Sequence, residues 1–356
     1  MFHVKHLFSN RTLAKGKVYS GKDRKMAEGK RFRTGPQPRK KMATCWKITI
    51  IALSVVLALV IAAISIFFYY FGGLKTTYLT QDNEELGITS ETVEMAADKD
   101  ITNIALLGVD SREHDDTGRS DAIMILSVDK AHGKIKLTSL ARDTRVYIYD
   151  RSSYDKFAHA YAYGGAPLAI KTMNQNFGLN IKEYITVNFD QLATVINAVG
   201  GVTLNVTEAE RQDANYHIGV LGLGTPIPRS GTVLLTGEQA VGYARVRSVD
   251  NDTFRNQRQR NVLRAIFEKM QGKSTFEYAD FIRQLLPVVE TSLDYGDLIG
   301  LSGIMFGTVT MEEMQFPNEN SNAYGGAYPT ADDPWYYVYD LTEAGRQLHR
   351  FIYEEE

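Results

Sequence analysis

The chain has 356 residues, of which 44% are hydrophobic and 23% are charged, and it contains one cysteine. This composition excludes a disordered or fibrous protein, because apolar side chains are plentiful enough to form a core. A single cysteine excludes a disulfide framework and a cysteine-based zinc site. The net charge of −2 is small, but it averages over segments of opposite charge.

The N-terminal part is strongly basic and precedes a long uncharged segment. Residues 1–47 contain nine lysines and five arginines against two acidic residues. They show no apolar periodicity, which predicts a disordered arm. The next 24 residues, 48–71, carry no charge, and about 20 apolar residues suffice to cross a bilayer as a helix. We therefore expect one transmembrane helix over 48–71.

The distribution of charge predicts how the chain is oriented. Because basic segments stay on the cytoplasmic side, we expect a cytoplasmic arm held near membrane lipid. Residues 72–100 are then an extracellular linker with some helix around 91–97, and the rest is an extracellular domain. Residues 76–356 contain 25 basic and 40 acidic residues, and this excess of negative charge argues against a nucleic acid partner.

Hydrophobic periodicity predicts an α/β fold with a mixed central β-sheet flanked by helices. The predicted strands are 101–109, 122–128, 134–140, 145–149, 185–189 and 202–206. The predicted helices are 166–177, 191–199, one that opens with a capping box at Thr236–Gln239, and then 255–270, 276–293 and 341–353. Residues 101–272 form the domain core, and 273–356 are expected to be a helical C-terminal part of the same domain. Residues 321–339 are expected to be a surface excursion.

Charged residues concentrate where the predicted elements end, the usual place for sites in α/β folds. They are Asp110, Arg119, Asp121, Arg142, Arg245, Arg247, Asp252, Arg255 and Gln259. Arg245 and Arg247 point to one face if the chain there is extended. Arg255 and Gln259 share a helix face, with Asp252 near the positive end of that helix.

Two interpretations of this group are open at this point. Each residue alone could belong to an ordinary surface ion pair or helix cap. As a group, many arginines in an acidic domain indicate an anionic ligand, and the carboxylates beside them indicate a cation. A diphosphate that is held by arginine and bridged to two carboxylates by Mg²⁺ meets both requirements. No complete P-loop, dinucleotide fingerprint, zinc-hydrolase or serine-hydrolase motif is present.

The same residues belong to motifs that occur in a fixed order. The motifs are Gly108-Val-Asp110-Ser-Arg112, Gly118-Arg119-Ser120-Asp121, Leu140-Ala-Arg142-Asp143, Lys156 with Ala160-Tyr161-Ala-Tyr163-Gly164-Gly165, Val187-Asn188-Phe189, Gly200-Gly201-Val202, Leu235-Thr-Gly237-Glu-Gln239-Ala240, Tyr243-Ala-Arg245-Val-Arg247 and Asp252-x-x-Arg255-x-x-Arg258-Gln259. Over residues 101–270 they closely resemble the LytR-CpsA-Psr family of cell-wall enzymes.

The resemblance implies a phosphotransferase on the outside of a Gram-positive cell. Such an enzyme moves a glycopolymer (teichoic acid, capsule or wall polysaccharide) from a polyprenyl-pyrophosphate carrier to peptidoglycan. Asp110 and Asp121 would hold Mg²⁺, and one of them could take the proton of the acceptor hydroxyl. Asp252 and Arg255 would orient the arginines by charge pairing. The polyprenyl tail would lie in an apolar tunnel. The residues that would grip the pyrophosphate are Arg119, Arg142, Arg245, Arg247 and Gln259.

This sequence departs from the family pattern at three positions, and none of them removes a charged site residue. Ala141 stands where the family usually has Pro, and Phe254 where it commonly has Gly. Ala158 replaces a frequent Asn, and we assign no role to the nearby Lys156. Two other functions stay open: a membrane-tethered regulator and a non-catalytic polymer-binding wall protein. A hydrolase that releases the carrier is a variant of the leading hypothesis.

Overall fold

The computed structural model describes residues 44–110, 118–250, 252–307 and 309–354. The predicted disordered arm, residues 1–47, lies almost entirely outside these ranges, as do Ser111 and Arg112 of the first motif. The chain divides into two units, residues 1–59 and 60–356. The sheet and the candidate site belong to the second unit.

A helix covers the uncharged segment near the N-terminus. This helix, α1, runs from Thr44 to Phe71. Among the helices of the described residues, none is both long enough and apolar enough to cross a membrane. The structure therefore does not confirm the predicted membrane span over 48–71.

Part of the segment 72–100 packs onto the folded domain. Leu79, Leu86 and Ile88 are at most 6% exposed and belong to the main core. A short helix, α2 (Ser90–Ala96), follows close to the predicted position, and the Thr89 side chain caps it by accepting a hydrogen bond from the backbone N–H of Thr92. At Leu79, Leu86 and Ile88 the predicted linker is thus part of the core, whereas most of its other residues are exposed.

The remaining described elements are twelve strands, eight α-helices and two short 3₁₀ turns. The strands are β1 (Ile101–Val109), β2 (Ser120–Asp129), β3 (Lys134–Leu140), β4 (Arg145–Ile148), β5 (Ser153–Lys156), β6 (Glu183–Asn188), β7 (Val202–Val206), β8 (Gly231–Leu235), β9 (Glu290–Thr291), β10 (Thr310–Phe316), β11 (Tyr324–Ala327) and β12 (Trp335–Val338). The helices are α3 (Phe157–Phe177), α4 (Phe189–Ala198), α5 (Glu208–Leu221), α6 (Gly237–Ala244), α7 (Asp252–Met270), α8 (Thr275–Leu285), α9 (Tyr295–Ser302) and α10 (Leu341–Tyr353). Short 3₁₀ turns lie at Tyr149–Arg151 and Gly303–Phe306.

The central sheet has six strands in the order β10-β3-β2-β1-β6-β9. Strand β1 is parallel to β6 and antiparallel to β2, and β3 is antiparallel to β2 and parallel to β10. This arrangement confirms the predicted mixed sheet with helices. The predicted bounds of β1, β3, β7 and α10 are those observed, and the capping box at Thr236–Gln239 opens α6.

The C-terminal part differs most from the sequence-based prediction. Residues 276–293 were expected to form one helix, but α8 ends at Leu285 and β9 pairs with β6. Pro287 follows the end of the helix, and proline cannot donate the next helical hydrogen bond. Residues 273–356 contain α8, α9 and α10, but they are not wholly helical as expected, since β10 pairs with β3 along its whole length and β11 and β12 form a hairpin.

Helix α3 also starts earlier than predicted, at Phe157 instead of residue 166. Its helical geometry is interrupted at Gly164 and Gly165, and Gly165 has φ +64°. A positive φ is strained for any residue with a side chain. The glycine pair therefore divides α3 into two helical pieces, and the second piece is the segment that the sequence predicted.

Two hydrophobic clusters support the sheet and the second helical layer. One joins α3 and α10 to the sheet, with Phe157, Phe177 and Leu348 at most 2% exposed. The other joins α4, α5, α6 and α7 to the β7–β8 hairpin around Ile196 and Val246, both 0% exposed. Burial of apolar side chains on this scale is the main stabilising contribution to such a fold.

The strand directions place the ends of four strands and the start of a fifth on one side of the sheet. Because β1, β3, β6 and β10 run the same way and β2 runs against them, the ends of these four strands lie beside the start of β2. We call this side the C-terminal edge, the place where α/β sheets usually form ligand sites.

Close packing of α6 on α4 depends on a glycine. A Cβ atom added at Gly237 would lie 2.0 Å from the carbonyl oxygen of Ala193, whereas one added at Gly219 in α5 meets nothing within 4 Å. We predict that Gly237→Ala lowers the free energy of unfolding by about 1–3 kcal/mol or more. The matched control Gly219→Ala should raise it by about 0.4–1 kcal/mol. Urea unfolding measures both values, and equal effects of the two substitutions would contradict the packing described here.

Candidate functional site

The first two site carboxylates lie on neighbouring strands at the C-terminal edge. Asp110 directly follows β1, and its backbone N–H donates to the carbonyl of Arg119 over 3.2 Å. On β2, Ala122 lies opposite Gly108 and Ser120 lies opposite Val109. Asp121 is therefore the extra residue of a β-bulge. Bulges redirect side chains near the ends of sheets, and this one carries a predicted metal ligand.

Arg142, which follows β3, contacts three carboxylates. Its Nη1 donates to Oδ1 of Asp121 over 2.6 Å. Its Nε lies 3.4 Å from Oδ2 of Asp143 and 3.5 Å from Oδ2 of Asp252. Burial alone would lower the pKa of Arg142, but the surrounding carboxylates outweigh it and raise the pKa above its usual value. Arg142 is thus held as a permanent cation in the middle of the site.

Asp252 pairs with three guanidinium groups that come from separate parts of the sequence. It is the first residue of α7, and its side chain is 8% exposed. Besides Arg142, it contacts Arg247 (Nε to Oδ1, 3.3 Å) and Arg255 (Nη2 to Oδ2, 3.2 Å). Burial and the nearby charge of Arg142 lower the pKa of Arg255. Asp252 therefore offsets repulsion among these arginines, which agrees with the charge pairing expected of Asp252 and Arg255.

Arg245 and Arg247 reach the site by a route that differs from the prediction. Arg245 is the C-cap of α6 with φ −94° and ψ −8°, so the chain is not extended there. Its Nη1 lies 3.6 Å from Oδ1 of Asp110, and its guanidinium carbon lies 4.1 Å from the centre of the Phe189 ring. The backbone N–H of Arg247 donates to Oδ2 of Asp213 over 2.8 Å. The expectation of an extended chain is wrong, because a helix end places the two arginines instead.

The buried side chain of Arg258 holds the segment around Arg247 in place. Arg258 has a side chain that is 4% exposed, and it donates to Glu210 over 2.8 Å and to Oδ1 of Asp250 over 3.0 Å. It also donates to the carbonyl of Val246 over 3.1 Å. These bonds join α5, α7 and the segment between α6 and α7. Arg258 thus positions Arg247 without lining either of the two cavities described next.

Two adjoining cavities of about 210 and 420 Å³ lie at this edge. Both are lined by Arg142, Asp143 and Lys156. The smaller cavity adds Arg119, Asp121, Ala158 and His159, and the larger adds Arg247, Asp250, Asp252, Trp335 and Tyr337. The lining is mostly charged, so this part of the site is suited to a polar ligand.

Four predicted site residues do not line either cavity: Asp110, Arg245, Arg255 and Gln259. The first three form ion pairs within the site, whereas Gln259 does not. Gln259 lies one turn after Arg255 on α7, and its Oε1 is buried with no hydrogen-bond partner among the described residues. The shared helix face was predicted correctly. The described contacts do not bring the Gln259 side chain to the site's charged groups.

Sequence reasoning assigned no site role to several residues that line the cavities, among them Asp143, Lys156, Trp335 and Tyr337. Lys156 donates from Nζ to Oδ1 of Asp143 over 2.6 Å. Burial would raise the pKa of Asp143, but this bond and the charge of Arg142 hold it below its usual value. Both residues occur in the motifs quoted above, so a signal was present. Trp335 and Tyr337 come from the segment that was expected to be a surface excursion, and no local pattern pointed to the site.

The chemistry of the cluster favours an anionic ligand. The site combines Arg119, Arg142, Lys156, Arg245, Arg247 and Arg255 with the carboxylates Asp110, Asp121, Asp143 and Asp252. Within the described part of the chain, Nε of Arg142 and Nε of Arg255 are buried donors that have no hydrogen-bond partner. Buried donors of this kind are rare unless a ligand or water satisfies them. Guanidinium groups in such numbers fit the oxygens of phosphate groups.

The carboxylates of the site provide oxygen donors that suit a cation. No group of three or more His, Cys, Asp or Glu side chains able to hold a metal occurs among the described residues, so an all-protein cage is not available there. Asp110 and Asp121 are 33% and 23% exposed, and each contacts its arginine through Oδ1. Two carboxylates fit Mg²⁺, which typically keeps waters and takes substrate phosphate oxygens as further ligands.

Comparison with known proteins agrees with this geometry. Residues 67–345 match the LytR_cpsA_psr family. The chain is 30% identical over 301 residues, 82% of this chain and 92% of the relative, to the polyisoprenyl-teichoic acid–peptidoglycan teichoic acid transferase TagT of Bacillus subtilis (strain 168). It is also 30% identical over 273 residues, 76% of this chain and 82% of the relative, to the corresponding transferase TagU of Bacillus mycoides (strain KBAB4).

Two solved structures are similar in fold as well as in sequence. One is TagT bound to LIIa-WTA, with a TM-score of 0.59 and 28% identity over 71% of this chain and 91% of that chain. The other is the LytR-CPS2A-psr family protein YwtF (TagT) with bound octaprenyl pyrophosphate lipid, with a TM-score of 0.55 and 27% identity over the same shares. The family match covers most of the chain and includes every described residue of the charged site, so this protein belongs to the LytR-CpsA-Psr family.

Proposed function

We propose that this protein is a phosphotransferase that moves a glycopolymer, such as teichoic acid, from a polyprenyl pyrophosphate carrier to peptidoglycan. The names of its relatives TagT and TagU support the class of reaction and the acceptor. The related structures with bound octaprenyl pyrophosphate and LIIa-WTA support the class of donor. The observation in this chain that carries the proposal is the convergence of Arg142, Arg247 and Arg255 on Asp252 beside Asp121.

The reaction needs the site to hold a diphosphate and to admit an acceptor hydroxyl. The hydroxyl oxygen attacks the phosphorus nearer the glycan, the bond from that phosphorus to the bridging oxygen breaks, and polyprenyl phosphate leaves. Arg119, Arg142, Arg245 and Arg247 would bind the phosphate oxygens as charge builds up on them. Such preorganised charge contacts provide most of the catalysis in phosphoryl transfer.

Asp110 and Asp121 have two roles in this proposal. As hard oxygen donors they would hold Mg²⁺, which neutralises charge on the phosphate oxygens when it is bound. One of them would also accept the proton of the acceptor hydroxyl. Their position at adjacent strand ends, next to Arg245 and Arg142, supports both roles.

We propose a place at the outer face of the cell membrane of a Gram-positive-type cell, with the N-terminus in the cytoplasm. The uncharged sequence 48–71 and the basic residues before it support this orientation, although the described helices do not confirm the span. A carrier with a polyprenyl tail also requires the site to work close to a bilayer. The tail itself is expected in an apolar tunnel beside the charged cavities.

Removing one charged contact tests the assigned roles. Asp121→Ala and Arg245→Ala should each reduce turnover by at least about 100-fold, the scale of losing one preorganised charge contact. Transfer of a short lipid-diphosphate glycan to peptidoglycan oligomers by the full-length protein is the measurement. Arg350→Ala is the matched control, because Arg350 is 53% exposed and pairs only with Glu343 at the surface among the described residues. Normal turnover in both site variants would contradict the assignment.

Removal of divalent cations tests the metal role separately. Treatment with a chelator should reduce transfer by at least about 100-fold, since a bound cation contributes several kcal/mol to stabilising phosphoryl charge. Added Mg²⁺ should restore the rate. If chelator-treated protein keeps its full rate, Asp110 and Asp121 act without a metal.

The proposed orientation has its own test. A reporter active only outside the cytoplasm should be active when fused after Glu356 and inactive when fused before Met1. The same fusions to a chain lacking residues 48–71 should both be inactive, because the exporting segment is gone. Activity of the C-terminal fusion in that shortened chain would contradict the role given to residues 48–71.

A further inference from the structure

The β11–β12 hairpin carries two aromatic side chains to the charged site. Trp335 and Tyr337 line the larger cavity together with Arg247 and Asp252. The two residues are two apart on β12, so their side chains leave the same face of the strand. Their ring centres are 4.6 Å apart and their planes make an angle of 80°. Together they form an angled aromatic wall, which we call the aromatic pair.

Backbone contacts fix the aromatic pair relative to the central arginine. The N–H of Tyr337 donates to the carbonyl of Asp143 over 2.9 Å, and Tyr337 forms a bridge with Thr144. Asp143 directly follows Arg142 in the chain. The hairpin is thus joined to the same short segment that holds the phosphate-binding arginine, and the distance from the rings to that arginine is set by main-chain hydrogen bonds.

The opposite strand leaves room for the indole ring. On β11, Gly325 pairs with Tyr337 of β12. A Cβ atom added at Gly325 would lie 3.0 Å from a Trp335 ring atom. The ring therefore lies against a position that has no side chain. Trp335 nevertheless remains 42% exposed. A ligand that covers this surface would gain free energy by removing apolar area from water.

A diphosphate alone would not contact the aromatic pair, because phosphate oxygens bind to cations and N–H groups. A hexopyranose ring could pack against it, since one face of the ring presents C–H groups with a slight positive charge. The face of an aromatic ring is slightly negative, so the two surfaces attract each other. The hydroxyl groups at the edge of a sugar can bond to charged side chains such as Arg247 and Asp250, which line the same cavity.

We propose that Trp335 and Tyr337 form a binding platform for a hexopyranose ring adjacent to the reacting phosphate. The ring belongs to the lipid-linked donor glycan or to the acceptor glycan, both of which present the same chemistry. This inference rests on the proposed transferase function and extends it to the recognition of sugar. Trp335 is in this account a specificity-determining residue.

The test compares three substitutions in the full-length protein. Trp335→Ala and Trp335→Leu should raise the KM of one glycan substrate roughly three- to tenfold, the scale of a lost aromatic contact, with kcat within about twofold. Trp335→Phe keeps an aromatic face, so its KM should stay close to the wild-type value. Tyr324→Ala is the matched control, because Tyr324 is an exposed aromatic residue (54%, against 42% for Trp335) that leaves the other face of the same hairpin.

The substrate whose KM rises identifies the sugar that the aromatic pair binds. A raised KM for the lipid-linked donor assigns the platform to the donor sugar, and a raised KM for peptidoglycan oligomers assigns it to the acceptor. Unchanged KM values for both substrates, or Trp335→Leu behaving like Trp335→Phe, would overturn the platform while leaving the transferase function intact.

A binding measurement separates this inference from the transferase proposal. A prenyl pyrophosphate with and without an attached disaccharide, and peptidoglycan oligomers, are each titrated into wild-type protein and Trp335→Ala. The substitution should weaken binding of a sugar-bearing ligand and leave the bare prenyl pyrophosphate unaffected. If wild-type protein and Trp335→Ala bind every ligand with the same affinity, the platform is overturned. Absence of transfer by wild-type protein that still binds these ligands would instead refute the transferase function.

Discussion

The site depends on one buried carboxylate that holds several arginines close together. Asp252 contacts the guanidinium groups of Arg142, Arg247 and Arg255, and its own side chain is 8% exposed. Like charges at such distances repel each other strongly where water is scarce. Without this carboxylate the buried Arg142 and Arg255 side chains would move apart, and Arg247, which is 57% exposed, would lose its ion pair. A site for a doubly charged phosphate ligand can therefore be assembled before that ligand arrives.

The sheet explains how residues far apart in sequence reach this carboxylate. Four parallel strand ends and the start of β2 lie at the C-terminal edge, so Asp110, Asp121 and Arg142 come together through pairing of the backbone. The segment after α6 brings Arg245 and Arg247 from the second helical layer, and its backbone is held by Asp213 and Arg258. The rigid sheet positions Asp110 and Asp121, and the clamped turn positions two of the five site arginines.

Much of this arrangement could be predicted from local sequence. The strands at 101–109, 134–140 and 202–206 and the helix at 341–353 follow from periodicity alone, and the charged residues at their ends were recognised as a group. The path of the chain at Arg245 could not be predicted, because the helix end there is set by packing of α6 against α4 and α5. The extra residue in β2 that redirects Asp121 likewise depends on its pairing with β1.

The C-terminal part was the least predictable, for a physical reason. Strand β10 contains Met311, Glu312, Glu313 and Met314, which do not alternate in hydrophobicity, and it forms a strand because β3 offers an unpaired edge. The roles of Trp335 and Tyr337 depend on a hydrogen bond to Asp143 that is remote in sequence. Contacts of this kind leave no local pattern, so the cavity wall that they form was visible only in the folded chain.

Calorimetric titration of a short-chain prenyl pyrophosphate into wild-type protein and Asp252→Asn tests the central claim most directly. The substitution keeps the shape of the side chain and removes one negative charge near the ligand. If Asp252 assembles the arginines, the variant binds the pyrophosphate more weakly at a temperature where it is fully folded. If net charge alone governs binding, the variant binds more tightly, and that result would contradict the account.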